Sequence, residues 1–113
     1  MTTSNDLARR TCVPCKKGTP PLEPAVVASL LSQLDGWQVI DGHHLARDFK
    51  FRDFAGALAF VNRVGAIADA EGHHPDIHLS WGRARIETWT HAIDGLSESD
   101  FVLAAKIDQV ERA

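Results

Sequence analysis

The sequence predicts an α+β domain, a four-stranded, mainly antiparallel sheet with helices packed on one face in the order α-β-β-α-β-β-α. Three observations carry this expectation. Apolar residues recur at helical spacing in three separate stretches, the longest from Phe54 to Ala68. Between the second and third of them the period switches to two, with Ile77, Leu79 and Trp81 alternating against Asp76, His78 and Ser80. Asp41-Gly42, set between two short apolar runs, is the strongest hairpin signal in the chain.

Taken in order, residues 1–22 read as an extended arm, because Pro20 and Pro21 fix φ and remove donors, and Gly18 adds freedom. The domain then spans residues 23–113. From Glu23 to Leu34, Val26, Val27, Leu30, Leu31 and Leu34 mark a helix with Pro24 in its first turn, where the missing N–H costs nothing, and Gly36 ends it. Trp37 to Ile40 and Leu45 to Phe51 are the hairpin strands, the second with Leu45, Phe49 and Phe51 on one face and Ala46, Asp48 and Lys50 on the other. His43 and His44 fall at the turn and are expected to be exposed bystanders.

Asp53 is placed to cap a long helix running to about Ala70, since its carboxylate can accept free N–H groups of the first turn. Phe54, Ala57, Leu58, Val61, Val64, Ile67 and Ala68 form its broad apolar stripe, and Gly72 is the expected C′ residue. Pro75 biases His74 toward extended backbone, leading into the Ile77 strand. After Gly82 a further strand has Ala84, Ile86, Thr88 and Thr90 inward, with Arg85, Glu87 and Trp89 outward. A last helix starts at Ser97 and carries Phe101, Leu103, Ala104, Ile107 and Val110. Ser97-Glu98-Ser99-Asp100 has the form of a capping box.

Composition excludes several function classes. A length of 113 residues with 44% hydrophobic content suits one domain with one core. A net charge of −3 and a pI of about 6.0 argue against nucleic acid, which needs a dense positive patch. The one basic group, Arg9, Arg10, Lys16 and Lys17, lies in the arm. The first residues lack a signal-peptide pattern and no run approaches the ~20 apolar residues of a membrane span, so no membrane role and a cytoplasmic location are expected. Cys12-Val13-Pro14-Cys15 reads first as two reduced thiols, with zinc binding or a redox disulfide as alternatives; structural zinc usually needs four ligands.

Chemistry concentrates between Asp69 and Asp100, where four of the six histidines fall: His73, His74, His78 and His91. Free imidazole titrates near pH ~6.5, so such a cluster can move protons at neutral pH. Each residue alone has a plainer reading. His73 and His74 could simply sit at a helix end, where the dipole favours imidazolium. His78 points outward by alternation, His91 could be a hydrogen-bonded strand-end histidine, and Asp100 a cap. His74 and His78 are four apart, a metal spacing on a helix but not on the extended backbone that Pro75 imposes, so no metal site is expected. There is no Gly-rich phosphate loop and no recognisable nucleophile.

The joint spacing is what the plainer readings leave unexplained. Asp69, His73-His74-Pro75, Trp81, Thr90-His91 and Gly95-Leu96-Ser97 leading to Asp100 together resemble the signature of the pterin-4a-carbinolamine dehydratases. The resemblance extends over about residues 21–110, through Leu34-Asp35-Gly36-Trp37, Phe49 to Phe54 and Leu103 to Asp108. It implies the same α+β fold and a hydro-lyase that dehydrates 4a-hydroxytetrahydropterin in tetrahydrobiopterin recycling, by acid–base catalysis without cofactor or metal. It further implies a functional link to an aromatic amino acid hydroxylase, and a homodimer or homotetramer.

On this resemblance His73 and His91 would be the acid–base pair, His74 would bind and orient the pterin, and Asp100 would be a supporting carboxylate, for example to His91. Trp81 and Pro75 would shape the pocket. Asp69 stands where the family often has Glu, one methylene longer, and Glu71 is its nearby substitute for substrate contact. The same family includes binding proteins, a dimerisation cofactor of a homeodomain transcription factor and relatives linked to Rubisco assembly. A non-catalytic binding or assembly factor is therefore the alternative. Retention of the whole histidine set favours the enzyme.

Overall fold

Helix α1 (Pro24–Leu31) opens on Pro24 in the computed structural model, which describes residues 7–14 and 16–112; within the arm, Leu7 and Ala8 are helical and not extended as expected. Cys15 lies outside the described residues. Helix α1 stops three residues short of the expected Leu34: the Ser32 hydroxyl donates to Ser29 O at 2.6 Å, drawing the chain into a local turn instead of another helical one. Gly36 then turns the chain at φ 79°, where a Cβ would be strained and would press on the Arg47 side chain, with Nε at 2.9 Å, so glycine is favoured.

Strand β1 (Gln38–Ile40) and strand β2 (His44–Lys50) form the expected hairpin. Asp41 and Gly42 both take positive φ, 54° and 65°, and His43 N–H closes the turn on Ile40 O at 2.9 Å. Helix α2 (Phe54–Glu71) starts on Asp53, whose carboxylate accepts from Gly56 N–H at 2.8 Å. Strands β3 (Asp76–Ser80) and β4 (Arg83–Thr88) and helix α3 (Glu98–Arg112) complete the order α-β-β-α-β-β-α. The sheet order is β1-β2-β4-β3 and every pairing is antiparallel, so β4 is central and β1 and β3 are edges.

Alternation decides the sheet faces as expected. Ala84, Ile86, Thr88 and Thr90 are buried, while Arg85 and Glu87 face out, where Arg85 Nε meets Glu87 Oε2 at 3.0 Å. That bond holds the Glu87 carboxyl below its ordinary range. One expectation about faces needs correction. The core face of α2 is Ala57, Phe60, Val64 and Ala68, with Phe60 packed between Phe49 and Phe51, whereas Phe54 and Leu58 are 44% and 40% exposed. The apolar stripe was broader than the surface available to cover it. Arg47, skipped in the alternation of β2, also points inward: its guanidinium bonds Asp108 Oδ1 at 2.6 Å, and Trp37 Nε1–H reaches the same oxygen at 2.8 Å. Removing one partner of such a buried pair typically costs about 3–5 kcal/mol.

Helix α3 is apolar on most sides, and residues 101–105 are all buried. A helix of that pattern must be covered all round. The sheet and α2 cover part of it, and the arm covers more: Leu7 is fully buried, and Lys106 donates to Ala8 O at 2.7 Å. Among the described residues no helix is long and apolar enough to cross a membrane.

Candidate active site

The end of α2 fixes the first histidines. Gly72 sits at φ 65°, its N–H bonds Asp69 O, and His73 N–H reaches back to Ala68 O at 3.2 Å. This is the Schellman arrangement, which needs a residue free of the left-handed Cβ penalty at C′. It delivers His73 to a defined place beside α3, where its Nε2 lies 2.6 Å from Asp100 Oδ1.

Asp100 is completely buried, and its two oxygens are saturated. Oδ1 accepts from His73 Nε2 and from the Thr88 hydroxyl at 2.8 Å; Oδ2 accepts from the Thr90 hydroxyl at 2.9 Å and Ser97 N–H at 3.0 Å. Since the Thr90 hydroxyl donates to the carboxylate, the 2.6 Å contact between Thr90 and Ser97 has Ser97 as donor. Four donors suit an ionised carboxylate, an acceptor-only group. The capping and site readings of Asp100 therefore coexist: one oxygen caps α3 through Ser97, and the other holds an imidazole. That imidazole is His73, not His91, because the Schellman turn brings His73 onto the first turn of α3. With Nε2 engaged by Asp100, Nδ1 is the other ring nitrogen of His73.

Thr90 pairs with Gly95 as an isolated bridge, and a single 3-10 turn, His91–Ile93, bulges between them. His91 is exposed, with its ring stacked on Trp89 at 4.5 Å and 19° between planes. Trp89 is half-buried, since His43 and His44 pack against it at 5.3 and 5.8 Å, and His43 Nε2 lies 2.8 Å from Asp94 Oδ1. The two turn histidines thus support this end of the cleft and are not bystanders. Trp89, outward by alternation, is thus half-buried against three imidazoles.

His73, His74, Trp89, Thr90 and His91 line one cleft of about 280 Å³, together with Gly72, Ala92 and Pro14. His74 is exposed and bonds Asp69 Oδ1 at 3.0 Å, so Asp69 orients His74 from the rim. The other expected site residues are elsewhere. Glu71 turns toward the arm, accepting Cys12 N–H at 2.8 Å with Lys106 at 3.7 Å. Trp81 is 72% exposed just beyond the far end of β3, the end away from His74, and does not line the cleft. Pro75 is half-buried and enters β3 without lining the cleft.

Trp89, Thr88, Thr90 and Ser97 were missed as site residues. The period of two that placed Trp89 on the same side as His91 was the signal for the aromatic; Thr90 and Ser97 stood in the recognised spacing without an assigned role, and nothing local marked Thr88. A larger, open groove of about 430 Å³ lies between α2 and α3, lined by Ala8, Ile67, Ala70 and Lys106 among others, and holds no histidine. Cys12 is a neutral thiol: burial, then the Glu71 carboxylate, pushes it up to about 12. Among the described residues no three His, Cys, Asp or Glu side chains converge as metal ligands.

An α+β domain whose long helix ends on a histidine held by a buried carboxylate, with two further histidines in the same cleft, has the parts of an acid–base catalyst. Comparison with known proteins identifies the family. The family model for pterin 4 alpha carbinolamine dehydratase matches residues 20–110. Two relatives, both provisionally named pterin-4-alpha-carbinolamine dehydratases, are similarly close: one from Rubrobacter xylanophilus is 57% identical over 94% of this chain and 99% of its own, and one from Alkaliphilus metalliredigens is 54% identical over 93% and 96%. A solved structure described as a transcriptional coactivator/pterin dehydratase from Brucella melitensis superimposes with a TM-score of 0.76 at 32% identity, covering 80% of this chain and 97% of that one. The chain belongs to the pterin-4a-carbinolamine dehydratase family.

Proposed function

We propose that the protein is a hydro-lyase that converts 4a-hydroxytetrahydropterin to quinonoid dihydropterin, using the histidines of this cleft. The observation that carries the reading is the buried Asp100–His73 pair opening onto a cleft shared with His74 and His91, in a chain of this family. In the reaction an imidazolium protonates the C4a hydroxyl as the C4a–O bond breaks. The electron pair of N5 forms the C4a=N5 bond, and a neutral imidazole takes the N5 proton. Water leaves, and nothing is oxidised or reduced. Correctly placed acid–base groups typically contribute ~10²–10⁴-fold each.

In this reading His73 and His91 exchange the protons. Asp100 keeps His73 oriented and compensates its charge, while His74, steadied by Asp69, binds the pterin. The reaction returns the pterin oxidised by an aromatic amino acid hydroxylase to a form that can be reduced again; a cytoplasmic setting belongs to the same proposal. The test is loss of 4a-hydroxytetrahydropterin catalysed by purified protein after extensive chelation. We expect turnover well above the buffer rate and unchanged by chelator. No acceleration would overturn the reading, and activity that vanishes and returns with zinc would overturn its metal-free mechanism.

A homodimer or homotetramer is part of the proposal. Its support is physical: strands β1 and β3 leave unpaired edges, and α2 exposes Phe54 and Leu58. Light scattering at micromolar concentration is expected to give a dimer or tetramer mass. A monomer mass alone would refute this.

A further inference from the structure

We propose that the Cys12–Pro14 segment of the arm is a wall of the substrate cleft and that Pro14 is a specificity-determining residue touching the bound pterin, an inference that rests on the dehydratase reading above. Pro14 lines the same cleft as His73, His74, Trp89 and His91. The family model matches residues 20–110, so the Cys12–Pro14 segment lies outside the part of the chain that the model describes.

The segment is clamped rather than draped. Ser99 Oγ accepts Val13 N–H at 2.8 Å and donates to Val13 O at 3.0 Å; Cys12 N–H donates to Glu71 Oε1 at 2.8 Å, and the Cys12 thiol points at Ser99 O, 3.5 Å away. Its start is pinned by buried Leu7 and by the Lys106 bond to Ala8 O. Ser99 directly precedes Asp100, so one turn of α3 anchors both the wall and the carboxylate that holds His73. Among the described residues the backbone bonds of the clamp end at Val13, and Pro14, the next residue, lines the cleft. With no N–H, the proline ring contributes an apolar edge that complements Trp89 for a flat heteroaromatic ligand. The neutral Cys12 thiol fits a packing role in this clamp.

The experiment uses the full chain. Ser99→Ala removes both bonds to Val13 while leaving Ser97 and Asp100 in place, and Pro14→Gly removes the ring at an exposed position. With 4a-hydroxytetrahydropterin, KM is expected to rise at least threefold in each variant, with kcat of Ser99→Ala staying within twofold of wild type. Exchange of the Val13 amide hydrogen should quicken at least tenfold in Ser99→Ala, reporting release of the wall without reference to turnover. An active wild type with unchanged KM in both variants overturns the inference and leaves the dehydratase reading standing. A fall in kcat alone for Ser99→Ala also overturns it, since the effect would then run through Asp100. If the wild type proves inactive, the dehydratase reading fails. The wall is then judged by 7,8-dihydrobiopterin binding followed through tryptophan fluorescence, where affinity unchanged by Pro14→Gly sinks it and a threefold loss sustains it.

Discussion

Asp100→Asn is expected to lower turnover at least tenfold, the equivalent of ~1.4 kcal/mol of transition-state stabilisation, and also to destabilise the fold. Both effects follow from the four donors around one buried carboxylate. The Ser97 N–H cannot be turned away, so an asparagine must aim its carbonyl oxygen at Ser97 and Thr90 and its NH₂ at His73 and Thr88. Thr88 can rotate its hydroxyl to accept. His73 can accept at Nε2 only by moving its proton to Nδ1, the other ring nitrogen, and the compensating charge is lost in either tautomer. The mismatched buried bonds cost roughly 1–3 kcal/mol of stability. Turnover and thermal unfolding measured on one preparation separate the roles. Wild-type turnover with reduced stability would make Asp100 a structural cap alone, and it would leave the site.

The largest loss is expected for His73→Ala combined with His91→Ala, which should remove ~10²–10⁴-fold of the rate or more. Because the substrate hydroxyl can lie on either face of the pterin ring, each single variant should retain measurable activity and the two should differ between stereoisomers. The structure makes them unequal. His73 has 14% of its side chain exposed and is fixed by a buried carboxylate, whereas His91 is exposed and held by stacking on Trp89. His73→Ala should therefore be the more damaging single change. Complete and equal loss in both single variants, for both stereoisomers, would refute the sharing of roles.

Which parts of this were legible in the chain follows from the range of the forces involved. Asp53 as an N-cap, Gly72 as a left-handed C′ residue, the Asp41-Gly42 turn and the alternation through Ala84, Ile86 and Thr88 are each set by atoms within a few residues. The ordered set from Asp69 to Asp100 carried the family in the same way, since motif spacing survives without coordinates. The helix stripe from Phe54 to Ala68 was legible as a helix but not as a face, because periodicity reports which residues share a side and not how much of that side a neighbour covers.

The sequence by itself determined the element order, the antiparallel pairing and the family. Only the tertiary structure decided the partners within the site. His73 and Asp100 are 27 positions apart, and whether Asp100 holds His73 or His91 depends on how the end of α2 meets the start of α3. The same holds for Glu71, drawn 59 positions away to Cys12, and for Pro14, brought to the cleft by Ser99. Trp81 and Trp89 look alike as aromatics near histidines, yet β3 carries one away from the cleft and β4 carries the other into it. Local patterns fix backbone geometry through short-range sterics and hydrogen bonds, whereas a cleft forms where distant surfaces dock, and that docking is settled by burial of the whole core around α3.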